Sequence, residues 1–294
     1  MKSIKKVFVV ITALCIQNRA ASQVRFSDTA LYKVTYKFIF SYDTADPRKK
    51  IVENMNLYLS QSCSVFRDSD YEMFQKERSR LREQFKAMAK LGNESKTISA
   101  NRNVKRVPLT EVFKKSMDNK IYKKEVLVGR DYLIEDNLPQ IDWKIQSDTK
   151  MFGELKGQKA EGYFRGRHYT AWFVTQLPIS SGPWKLSGLP GIIFEASDDK
   201  QEVVFQFAGF ELLKKQDATL INLPSAYIKV NQAEYDRLQK LAAEDLVGFV
   251  SNMHGQQGIT VSLDGKNLET FYNNKPRPNP AKSSINNPIE KVKQ

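Results

Sequence analysis

Short runs in which every second residue is apolar, cut apart by glycine, proline and paired aspartates, limit what this chain can become. Between Gln140 and Lys215 four such runs follow one another: IDWKIQSDTKMF, QKAEGYFRGRHYTAWFV, GIIFEASDD and QEVVFQFAGFELLKK. Gly166, the stretch from Pro178 to Pro183, and Asp198-Asp199 separate them. A period of two is that of a strand, whose successive side chains point to opposite faces. Short strands at this interval predict an antiparallel meander rather than βαβ units. Upstream, LYKVTYKFIFSY (31–42) puts Val34, Tyr36 and Phe38 on one face. In ENMNLYLSQSCSVFRD, Met55, Leu57 and Leu59 oppose Asn56, Tyr58 and Ser60. The polar DTADPRKK, with Pro47, reads as their connection. Residues 122–135 alternate again, with Gly129 marking a bend or a turn.

Two stretches break this period. From Asp68 to Leu91 the apolar positions Tyr71, Phe74, Leu81, Phe85 and Met88 follow helical steps, with Asp68 or Ser69 as cap and Gly92 as stop. Asn231 to Phe249 repeats the pattern at Tyr235, Leu238, Leu241 and Leu246, with Asn231 as N-cap. Residues 93–120 are polar, basic and weakly patterned, and read as a mobile insertion. The expected fold is α+β and mainly antiparallel β, a strongly bent sheet or partial barrel with two accessory helices. It occupies residues 23–275 as a single domain, followed by an extended C-terminal tail, 276–294, rich in Pro, Asn and Lys.

The amino terminus predicts a compartment. MKSIKK is a basic start, Val7 to Ile16 is an apolar run, and NRAASQ offers small residues for cleavage after Ser22. Residues 1–22 therefore read as a signal peptide, with a buried first strand as the other reading. Cys15 follows Leu14, where a lipidation signal wants a small residue. No later segment is an apolar run long enough for a membrane helix. With the leader removed Cys63 stands alone, which excludes an intrachain disulfide and a zinc site built on cysteines. The chain carries +13; the leader's four basic residues and no acid leave +9. Such a surface suits anionic partners. However, the basic residues alternate with acids, and no nucleic-acid signature appears.

Catalytic motifs are absent: no HExxH, no Gly-x-Ser-x-Gly, no P-loop, no Rossmann glycines, and only two histidines, His168 and His254. No cofactor is implied. The densest segment is YFRGRHYTAWFVTQLPISSGPWKLSGLPGIIFEA (163–196), and within it GPWKLSGLPGIIFEA, from Gly182 to Ala196, sets two Gly/Pro corners around a short apolar run. It reads either as a bent connection over a sheet or as a rigid loop presenting Trp184 and Lys185. Arg165 and Arg167 flank Gly166 and, beside Trp172 and Lys185, would make a positive site for an anion or carboxylate; the bland reading is a solvated hairpin tip.

Gly188-Leu189-Pro190-Gly191-Ile192-Ile193 resembles the signature of the GLPGLI family of exported Bacteroidota proteins. Trp143-Lys144-Ile145, Thr149-Lys150, Lys159-Ala160, Phe164, Gly166-Arg167, Ala171-Trp172-Phe173, Pro178-Ile179 and Gly182-Pro183 follow that family's order. The closing Asn287-Pro288-Ile289-Glu290 resembles its tail. The likeness is tight from about Asp142 to Leu213. It departs at Gly157, where members often have Cys, and at Gln176, where many have an acid. The resemblance implies an exported protein of uncharacterised activity. The expected role is a periplasmic or cell-envelope binding or accessory protein, acting on an envelope protein or small ligand. The alternatives are a hydrolase without a short motif, built near the corner from Glu195, His168 and Asp142, and an outer-membrane scaffold touching anionic lipid.

Overall fold

The structure, a computed structural model, describes residues 27–46, 48–90, 110–128, 130–214, 219–245, 249, 287 and 289–291. The expected leader, most of the tail, and Gly92 and Gly129 lie outside these residues. Among the described residues the chain runs β1 (Ser27–Thr29), β2 (Tyr32–Ser41), β3 (Lys50–Leu59), β4 (Cys63–Asp68), α1 (Tyr71–Lys90), β5 (Glu111–Lys115), β6 (Lys120–Leu127), β7 (Arg130–Asn137), β8 (Lys144–Phe152), β9 (Leu155–Phe164), β10 (Arg167–Val174), β11 (Ile192–Asp198), β12 (Val203–Leu212), β13 (Leu220–Asn222), β14 (Ile228–Val230) and α2 (Gln232–Glu244). The protein is thus mostly sheet with two helices.

Twelve of these strands form one sheet in the order β14-β7-β6-β5-β4-β3-β2-β12-β11-β10-β9-β8, while β1 and β13 pair apart from it. Neighbours are antiparallel except β14, which lies parallel on β7. The sheet is therefore mixed, and it does not close. The alternation explains its main face. Val34, Tyr36, Phe38 and Phe40 of β2 are buried with Met55, Leu57 and Leu59 of β3. Phe38 stacks on Phe205 at 5.0 Å between ring centroids, and Phe194 on Phe207 at 5.0 Å. Each such side chain contributes about 1.5–3 kcal/mol on leaving water. On the other face Cys63, Val65, Phe113, Tyr122 and Leu133 pack with Ile221 and Leu223.

Burial on both faces accounts for one departure from the sequence reading. The supposed insertion 93–120 contains all of β5 and the start of β6. Glu111, Val112, Phe113 and Lys114 are all buried, so period two is hidden under charges that find partners inside. Residues 122–135 form the β6–β7 hairpin, with Val128 in its turn at φ +48°. The helices start close to expectation. Asn231 accepts from the Glu234 amide and Glu234 accepts from the Asn231 amide, a capping box. The Phe249 amide donates to Asp245 O at 3.0 Å in a helical bond, and residues 246–248 lie outside the described ones. α2 itself runs to Glu244. Its Tyr235 ring meets Tyr132 of β7 at 5.6 Å. α1 begins at Tyr71, and Asp68 accepts from the Asp70 amide in the preceding turn.

Residues 175–191 join β10 to β11 and contain both corners. Leu186 and Leu189 are buried in the main core, and Ser181 Oγ lies 2.9 Å from Ser64 Oγ of β4. β10 and β4 stand five places apart in the sheet, about 24 Å at the usual strand spacing. A segment anchored at β10 that touches β4 therefore crosses the sheet's main face.

Candidate functional site

Lys114 fixes this crossing segment. The side chain is fully buried, and its ammonium donates to the carbonyls of Gly182 and, at 2.8 Å, Leu186. Burial pushes its pKa down from 10.5 to about 7. The two carbonyls bracket Trp184, which sits at φ +51°, a left-handed conformation unusual for so large a side chain. Trp143 Nε1 donates to Ser187 O at 2.8 Å, and the Tyr36 hydroxyl donates to Ile193 O at 2.5 Å. Gly191 closes the segment: a Cβ there would run into the Val174 carbonyl oxygen, so no other residue fits. Ile192, Ile193, Phe194 and Ala196 are all buried, so both faces of β11 are covered here rather than one.

The corner meets the residues that resemble the family's tail. Arg167 is buried, and its guanidinium has acceptors on every side. Nη1 donates to Asp198 and, at 2.7 Å, to Glu202; Nε donates to Ile289 O at 3.0 Å; Nη2 donates to Asn287 Oδ1 at 2.5 Å. Asn287 Nδ2 in turn donates to Ser41 O at 2.6 Å. The Glu290 carboxylate receives Lys185 Nζ at 2.6 Å and Trp184 Nε1 at 3.2 Å, with Arg165 Nε at 3.9 Å. The Lys291 amide donates to Arg165 O at 2.8 Å, directly over Gly166. A Cβ on Gly166, whose φ is +75°, would stand 2.6 Å from Lys291 O. Burial pushes the Glu202 carboxyl up, but the Arg167 hydrogen bond and the Lys291 charge outweigh it, and the net shift is downward.

Four of the five residues singled out in the sequence thus converge on one segment. Trp172 does not. Arg167, Tyr169, Ala171 and Phe173 face the core along β10, and Trp172, at an even position, faces the other way beside Lys150 and Glu195. Placing it beside Lys185 overlooked this parity. The bland reading of a solvated tip does not hold for Arg167, which is buried, whereas Arg165 is exposed at the hairpin tip with its nearest carboxylates at 3.7 and 3.9 Å. Residues that the sequence reading missed as site members are Lys114, Asp198 and Glu202. Asp198 was readable as a turn residue, and it does accept from the Glu202 and Val203 amides. The hydrolase set does not assemble. His168 pairs with Asp199, Glu195 pairs with Lys150, and among the described residues no hydrogen bond joins any two of Glu195, His168 and Asp142. Glu195 lies opposite Trp172 in register, four residues along β10 from His168, about 13 Å.

Comparison with known proteins adds little to this geometry. A family model described as "Protein of unknown function (Porph_ging)" matches residues 165–195, the stretch from Arg165 through the corners to Glu195. No curated protein matches the chain. Two solved structures of PNGF-II, in space groups C2 and P21, are similar at 11% identity and a TM-score of 0.48. They cover 71% and 70% of this chain, which spans 32% of each of theirs.

Proposed function

We propose that this is an exported cell-envelope protein of the GLPGLI type that works by binding an extended peptide segment at the corner formed by Arg165, Arg167, Trp184 and Lys185. The observation that carries the reading is the occupant of that corner. Asn287, Ile289, Glu290 and Lys291 are held by a side-chain amide, two backbone groups and one carboxylate, the groups that an extended peptide with one amide and one acidic side chain offers. The leader predicted at 1–22 supplies export to the periplasm. The partner is an envelope protein bearing such a segment, and the +9 charge left without the leader suits peripheral contact with anionic lipid. A curved sheet wrapped around residues 175–191 is the form of the fold this reading uses, because curvature would bring β4 and β5 toward the crossing segment.

Crosslinking of the full chain in native cell envelopes, followed by mass spectrometry, tests it. Wild type should capture one dominant protein, and a Trp184→Ala, Lys185→Ala double variant should lose it. Equal capture by the variant would return the corner to a purely structural role. Recovery of an unprocessed amino terminus from the envelope fraction would remove the exported part of the reading.

A further inference from the structure

Away from the corner, a cleft of about 920 Å³ opens between the start of α1, strands β4 to β7 and residues 219–228. Its floor is charged. Arg67, Tyr71, Glu111 and Lys124 all line it and all are buried. Lys124 Nζ donates to Glu111 Oε1 and to the Tyr71 hydroxyl, each at 2.6 Å. The Tyr71 hydroxyl donates to Glu111, and Arg67 Nη1 reaches Glu111 Oε2 at 3.4 Å. One buried carboxylate therefore serves two buried cations. The remaining charge is met by Glu72, from the first turn of α1, whose carboxylate bonds Arg67 Nη2. The Glu72 side chain is 62% exposed, against 9% for Arg67. An exposed surface carboxylate thus covers the outer edge of a buried guanidinium. That guanidinium lies over two rings, its Cζ 5.1 Å from the Tyr58 centroid and 4.8 Å from that of Tyr71. Gln75 lines the same cleft, and its Nε2 is buried with no hydrogen-bond partner among the described residues. A buried donor left without an acceptor costs about 1–3 kcal/mol, which a ligand oxygen would recover.

We propose that this cleft binds a small organic carboxylate. Its head takes the place of Glu72 on Arg67 and accepts from Gln75, and its hydrocarbon body lies against Leu223, Pro224 and Tyr227. The charge count selects the class. Arg130 and Asp131, which also line the cleft, carry opposite charges and offset each other. Glu72 swings into water, where most of its surface already is, and one incoming carboxylate restores neutrality at the floor. An uncharged ligand would leave Arg67 half-compensated, and a cation would add to two buried positive groups. The planar guanidinium edge fits a planar carboxylate better than a dianionic phosphate, which would overshoot the single charge available.

Calorimetric titration of the full chain with hexanoate, hexanamide and inorganic phosphate, at 0.15 M salt, tests this. Glu72 is exposed, so Glu72→Gln should fold as wild type, which circular dichroism verifies. Hexanoate should bind about threefold to tenfold more tightly to Glu72→Gln, because the internal competitor is gone, and more weakly to Gln75→Leu. Hexanamide and phosphate should bind at least tenfold more weakly than hexanoate. Lys185→Ala should leave all three titrations unchanged, which separates the cleft from the corner. Hexanoate binding that is undetectable in both forms, unchanged or weakened by Glu72→Gln, or matched by hexanamide or phosphate overturns the proposal.

Discussion

Lys114 shows how much one side chain can organise when it is buried without a carboxylate. In the unfolded chain its amine keeps a proton up to about pH 10.5, and in the folded protein it loses that proton near 7. Between these values the unfolded state holds the extra proton, so raising the pH favours folding. Urea unfolding should show stability climbing from pH 7 to 9.5. In Lys114→Met that climb should vanish, while overall stability falls because the Gly182 and Leu186 carbonyls lose their donor. Arg167 is the contrasting case, a buried cation with carboxylates around it. Arg167→Met leaves Asp198 buried without its charge partner and should cost about 3–5 kcal/mol in the same assay. The half-exposed Arg165→Met should cost under about 1 kcal/mol. Neither burial could be read from the chain. Lys114 sits in a basic, polar stretch that looks solvated, and its acceptors lie 68 and 72 residues away.

Among the elements, legibility tracked how cleanly one face meets water. β2 and β3 alternate plainly and were readable residue by residue. β5 was not, because both of its faces are covered. The parallel edge strand β14 is three residues long, and nothing in Ile228–Val230 announces its partner. The corner was readable as two bends but not as a bridge, since the contact with β4 is a tertiary fact. The tail was readable only as a resemblance. Its docking gives an element-scale prediction. In Gly166→Ala the added methyl would collide with Lys291 O and strain a φ of +75°, so residues 287–291 should detach. Hydrogen exchange should then find the Lys291 amide unprotected, with protection in β9 and β10 unchanged. Retained protection at Lys291 would mean that the tail finds another route past the hairpin.

At the scale of the molecule, class was accessible from sequence and strand order was not. Period two says that strands exist, but the order in which β2 comes to pair with β12 depends on contacts 160 residues and more apart. One property of the whole would follow from removal of the leader proposed at 1–22. In a chain beginning at Gln23, Cys63 is the sole thiol, and it is buried with its pKa raised by burial. A thiol reagent should leave the folded protein unlabelled and label it fully in urea, so oxidising surroundings should not inactivate it. Rapid labelling without denaturant would show that the sheet opens locally at β4.

The clamp on Asn287 also has a history in time. Arg167 leaves the ribosome 120 residues ahead of Asn287, about 6–24 s at the usual pace of synthesis. Asp198 and Glu202 follow Arg167 within 35 residues and can seat it early. Wherever the chain emerges from its amino end, at the ribosome or from the export channel, the receptor half can therefore assemble before its own occupant arrives. During that interval Asn287, Ile289, Glu290 and Lys291 of a neighbouring, finished copy compete for it on equal chemical terms, and only tethering favours the chain's own.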